Sequence, residues 1–104
     1  MQNGSYKIKL NKNQLNTLYF TVNNEAIRQN KYKTMQMKLV LVNILSIAHK
    51  LNAKSFMPGS ITRITFSASE ALAFWLAFND QEFGNDFTMV LMRNLLDDIH
   101  KKFI

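Results

Sequence analysis

The sequence predicts one α+β domain in the order β-α-α-β-α-α, with a two-stranded ribbon or small sheet packed on four helices. Three observations predict it. Tyr6-Lys7-Ile8-Lys9-Leu10 and Ile61-Thr62-Arg63-Ile64-Thr65-Phe66 alternate apolar with polar or basic residues, as strands with one buried face do. Each is followed by two stretches whose apolar residues recur at helical spacing. The 104 residues are 47% apolar and 12% aromatic, with one Pro and three Gly, enough for one core and poor in linker residues. The reading is a single domain over 1–104, with similar halves at about 6–51 and 61–103.

The elements follow in order. Polar Met1 to Ser5 is expected to be disordered. After the first strand, Asn11 and Gln14 stand at capping-box spacing. Leu15, Leu18, Tyr19, Val22 and Ala26 then give a helix from Asn13 to about Arg28. Thr34 is an N-cap for Met35 to Leu51. Within that stretch Leu39-Val40-Leu41-Val42 also suits a buried strand, so residues 38–43 stay open. Its length and the shared face of Met37, Leu41, Ile44, Ala48 and Leu51 favour a helix.

Pro58-Gly59 makes the clearest break. Ser67 and Glu70 repeat the capping box, and Ala68 to Phe78 is a short helix apolar nearly all round. Asp86 is read as the N-cap of a last helix, Phe87 to about Lys102. Its buried face is expected to carry Phe87, Val90, Leu91, Leu95, Ile99 and Phe103.

The halves can be superposed in sequence. Ile8, Leu10, Asn11, Gln14 and Tyr19 match Ile64, Phe66, Ser67, Glu70 and Trp75 at a shift of 56 residues. Met37, Ile44 and Ile47 match Met89, Leu96 and Ile99 at a shift of 52. One strand and two helices cannot cover their own apolar faces, so the halves are expected to fold together.

Composition excludes several classes. Without cysteine there is no disulfide framework, thiolate metal site or cysteine nucleophile. The N-terminus lacks an apolar signal-peptide core, and no apolar run approaches a membrane span, so a cytoplasmic protein is expected. The charge of +6 is uneven. Residues 1–63 hold ten Lys/Arg and one acid, Glu25, for +9; residues 64–104 hold three Lys/Arg and six acids, for −3. This asymmetry suits nucleic acid, an acidic protein, or self-complementarity between copies.

Strand-helix-helix used twice resembles the ribbon-helix-helix family of DNA-binding proteins. The resemblance covers Tyr6 to Leu51 and Thr62 to Lys102, with Asn52 to Ile61 as a covalent linker. It implies an antiparallel ribbon over four helices, whose exposed side chains enter the major groove. Those side chains would here be Lys7, Lys9, Arg63 and Thr65. The chain departs from the family in a long first helix, a connection without Gly, and an acid, Asp86, opening the fourth helix.

Two binding readings follow. The first is nucleic-acid binding by Lys7, Lys9 and Arg63 with Lys31, Tyr32 and Lys33. Cations meet phosphates, and the aromatic between two lysines can stack on a base. The second is a small adaptor, inhibitor or assembly subunit, or a homodimer, working through apolar positions of helices 2 and 4 beyond one buried stripe: Val40, Val42, Ile47, Met89 and Met92.

No catalytic group or cofactor site is expected. His49 and His100 lack a third metal ligand at suitable spacing. Asp80 to Asp86 fails the calcium-loop pattern, since its Gly is one place off and Leu91 stands where Glu belongs. Asp97 and Asp98 diverge by about 100° on a helix, and Ser67 and Ser69 have no placed base.

Overall fold

Alternation decides where the strand side chains go. The structure, a computed structural model, describes residues 4–104. Strand β1 (Ser5–Asn11) pairs antiparallel with β2 (Ile61–Ser67), with Ile8 opposite Ile64 at the centre. Tyr6, Ile8, Leu10, Ile64 and Phe66 point inward and are buried. Lys7 stands opposite Thr65, and Lys9 opposite Arg63, all four outward and exposed.

Of the expected disordered stretch, Met1 to Asn3 lie outside the described residues, and Ser5 already belongs to β1. Its carbonyl accepts from Lys102 Nζ at 2.6 Å, which ties the strand start to the last helix.

Each strand runs directly into a helix through a capping box. At α1 (Lys12–Ile27), the Asn11 side chain accepts from the Gln14 amide at 2.8 Å, and the Asn11 amide donates to Gln14 Oε1 at 2.9 Å. At α3 (Ala68–Phe78), Ser67 and Glu70 repeat both bonds at 3.1 and 2.8 Å. These reciprocal bonds satisfy amides that the first helical turn leaves without partners.

A single 3₁₀ turn, Gln29–Lys31, leads from α1 to α2 (Met35–Ser55), which Thr34 caps. Residues 38–43 are helical. The helix continues past Leu51 to Ser55, and Pro58-Gly59 then turns the chain into β2, with Gly59 at φ 114°, a conformation costly for other residues. Helix α4 (Asp86–Phe103) is capped by Asn85, not by Asp86. Asn85 has the extended backbone a cap requires, so Asp86 becomes the first helical residue and lies at the positive end of the helix dipole.

The four helices pack in a ring, α1 on α2, α2 on α3, α3 on α4 and α4 on α1, beneath the inner face of the ribbon. Phe66, Phe74 and Phe78 run through the centre with ring centroids 5.7 and 4.9 Å apart. Leu15, Leu18 and Val22 of α1, Ile44, Ile47 and Leu51 of α2, and Met92, Leu96 and Ile99 of α4 close around them. Two expectations for apolar residues are corrected. Phe87 and Val90 lie on the outside of α4, and Met37 of α2 is exposed. The ring covers only the inward side of each helix.

Candidate nucleic-acid interface

The outer face of the ribbon carries three cations and no acid: Lys7 and Lys9 on β1, Arg63 on β2, with Thr65 diagonal to Lys9. Period-two alternation puts them there, since the residues between them fill the core. Among the described residues the ion pairs are Lys31–Glu25 and Lys50–Glu70, so none of the three ribbon cations is neutralised by a contacting carboxylate.

Helices α2 and α4 brace the ribbon from its sides. Lys50 Nζ donates to the Thr65 carbonyl at 3.0 Å and to Glu70 Oε1 at 2.6 Å. Burial alone would raise the Glu70 carboxyl. Hydrogen bonds from Lys50, Ser46 and the Ser67 amide, with the Lys50 charge, outweigh it and hold the carboxyl below its ordinary value. On the other side Lys102 reaches Ser5, and the Tyr6 hydroxyl donates to Asp98 at 3.0 Å. Gly4, Ser5, Lys7, Asp98, Lys101 and Lys102 line an open cleft there.

The Lys31-Tyr32-Lys33 connection does not join this surface. Lys50, which touches β2, lies fifteen residues beyond Met35, about 22 Å along α2 at 1.5 Å per residue. The connection therefore sits at the pole of the molecule away from the ribbon. Tyr32 is 6% exposed, and its hydroxyl donates to Glu25. Lys31 pairs with the same carboxylate at 2.6 Å, and Gln81 Nε2 donates to it at 2.9 Å. The expectation that Tyr32 stacks on a base is thus corrected, because its ring is consumed by the fold. Lys33 remains exposed.

Glu25 was not legible as a buried group. Its only signal is that it is the sole acid among the first 63 residues. Burial pushes its carboxyl upward, but the bonds from Lys31, Tyr32 and Gln81, with the charge of Lys31, prevail and keep it below its ordinary value.

The predicted apolar interface also divides. Ile47 and Met92 are fully buried, and Val40 packs against the core. Only Val42 and Met89 are exposed. The correction has a simple cause, since each helix of the ring touches two neighbours and the ribbon, which widens its buried stripe. Val42 instead continues a stripe with Met35 and Leu39, at i, i+4 and i+7 on the solvent side of α2.

His49 and His100 are exposed, and the His100 ring lies 5.9 Å from that of Trp75. Among the described residues no group of three or more His, Asp or Glu could hold a metal ion, and no helix is long and apolar enough to cross a membrane.

The site defines a class: a small α+β domain that presents an uncompensated basic two-stranded ribbon on a ring of four helices. Comparison with protein-family models, curated proteins and solved structures finds no match.

Proposed function

We propose that the chain binds double-stranded DNA by laying the outer face of its ribbon in the major groove, as a single-chain counterpart of a ribbon-helix-helix dimer. The observation that carries this is the exposed, uncompensated set Lys7, Lys9, Arg63 and Thr65 on one face of an antiparallel pair. A major groove about 12 Å wide admits a two-stranded ribbon, whereas the deep, narrow groove of A-form RNA does not. Arg63 and the lysines donate to guanine O6 and N7, and Thr65 offers a methyl and a hydroxyl.

Symmetry of the ribbon supports the analogy with a dimer. The pairing is centred on Ile8 opposite Ile64, the positions equivalent at a shift of 56. A twofold axis relating two halves would pass through that pair. Lys50 and Lys102, equivalent at the shift of 52, each reach from a helix of one half to a strand carbonyl of the other.

The test is fluorescence anisotropy with a random-sequence duplex across a salt series. Wild type is expected to weaken steeply with salt. Lys7→Ala/Lys9→Ala/Arg63→Ala should bind at least about tenfold more weakly and with a shallower slope. Lys33→Ala, at the opposite pole, should bind like wild type. No binding by wild type at low salt, or an unchanged slope in the triple variant, overturns the reading.

A further inference from the structure

We propose that the ribbon reads a non-palindromic DNA site, each end of its outer face recognising a different half-site, so that the chain binds its target in one orientation. The inference rests on the major-groove reading above and concerns which sequence that same face selects.

A dimer of identical chains presents two identical ends and therefore favours a palindrome. Here one chain supplies both strands, and their outward residues differ. Ile8 opposite Ile64 marks the centre of the ribbon, with Lys7 opposite Thr65 on one side of it and Lys9 opposite Arg63 on the other. The shift of 56 residues that relates Ile8 to Ile64 also relates Lys7 to Arg63 and Lys9 to Thr65. Neither of these two outward equivalences preserves the side chain. All four residues are exposed.

The two ends offer different chemistry to base edges. At the Lys9–Arg63 end each strand contributes a donor suited to guanine O6 and N7. Arg63 brings a planar fork that donates twice in a fixed geometry, and Lys9 a mobile point charge. At the Lys7–Thr65 end one lysine suits guanine, while the Thr65 methyl suits the thymine methyl and its hydroxyl donates or accepts. Two residues along a strand span about 7 Å, or about two base-pair steps, so the two preferences fall on separate base pairs. One half-site is thus read for guanine by both strands, and the other favours thymine where Thr65 stands. The ribbon ends also run into unlike helix starts. Exposed Lys12 opens α1, where Ala68 opens α3 at the same shift. A cation there meets phosphate, which strengthens binding without selecting bases. Base selection therefore lies with the four ribbon residues.

Selection from a random-sequence duplex library, followed by anisotropy on the enriched site, tests this. Wild type should enrich a site without twofold symmetry. Palindromes made by duplicating either half of that site should bind at least about fivefold more weakly than the site itself, because one end of the ribbon then meets the wrong half. Lys7→Arg/Thr65→Lys makes the two ends alike through exposed substitutions, and should enrich a palindrome instead while keeping the wild-type circular dichroism. A palindromic consensus from wild type, a bound pool with no consensus, or a duplicated half-site bound as tightly as the enriched site overturns this inference and leaves DNA binding standing. An asymmetric consensus kept by Lys7→Arg/Thr65→Lys overturns the assignment of selectivity to the ribbon residues. A wild type that retains no duplex at low salt overturns the major-groove reading, and this inference with it.

Discussion

At the scale of single residues, Glu25 is the most consequential side chain away from the ribbon. It is buried, yet takes hydrogen bonds from Lys31, Tyr32 and Gln81, which join α1, the 3₁₀ turn and the loop before α4. Removing such a carboxylate strands its donors, so Glu25→Ala should lose roughly 3 kcal/mol of stability in urea denaturation at neutral pH. The carboxyls of Glu25 and Glu70 lie below their ordinary values in the fold. Their contribution is therefore fully present above the usual carboxylate pKa, about 4.3, and is lost as pH falls through it toward the lower folded values. Glu25→Gln and Glu70→Gln should flatten the acid limb of the stability curve; a limb parallel to wild type would refute the linkage. Tyr6 and Tyr32 have the opposite sign. Burial first, then the bonds to Asp98 and Glu25, raise both phenols. Their contribution holds below the ordinary tyrosine pKa, about 10, and falls as pH rises beyond it. Tyr6→Phe and Tyr32→Phe should blunt that alkaline loss.

At the scale of elements, local chemistry explains most of what forms. The boxes Asn11–Gln14 and Ser67–Glu70 end each strand and start each helix with the same pair of bonds. Asn11→Ala should cost about 1 kcal/mol in thermal or urea melts. Ser67→Ala should cost a similar amount, and because the caps share no partner the double variant should lie near the sum. A double variant no worse than either single one would show that one cap is idle. These signals were readable because a cap and its partner sit three residues apart. The α4 cap lies one position before the expected Asp86 because Asn85 and Asp86 are both good caps, and only the backbone conformation separates them.

At the scale of the whole molecule, neither half is complete. The pairing partner of β1 is β2, α1 closes the ring on α4, and Tyr6 bonds to Asp98 ninety-two residues away. A chain divided at the exposed Pro58-Gly59 turn should give fragments 1–58 and 59–104 that are each largely unfolded by circular dichroism. Mixing them should restore helical signal and a cooperative melt. A first fragment that is fully helical on its own would contradict the shared core.

The sequence by itself determined the element order, both capping boxes, the helical state favoured for Met35 to Leu51, and the outward set Lys7, Lys9, Arg63 and Thr65. All of these rest on neighbours within a few residues, where periodicity and spacing carry the physical information. Only the tertiary structure decided that Tyr32 and Glu25 are buried together, that Ile47 and Met92 belong to the core, and that Phe87, Val90 and Leu39 face outward. A helix wheel ranks the apolar faces of α2 and α4 but does not say which neighbour covers them, because burial depends on contacts between segments far apart in the chain.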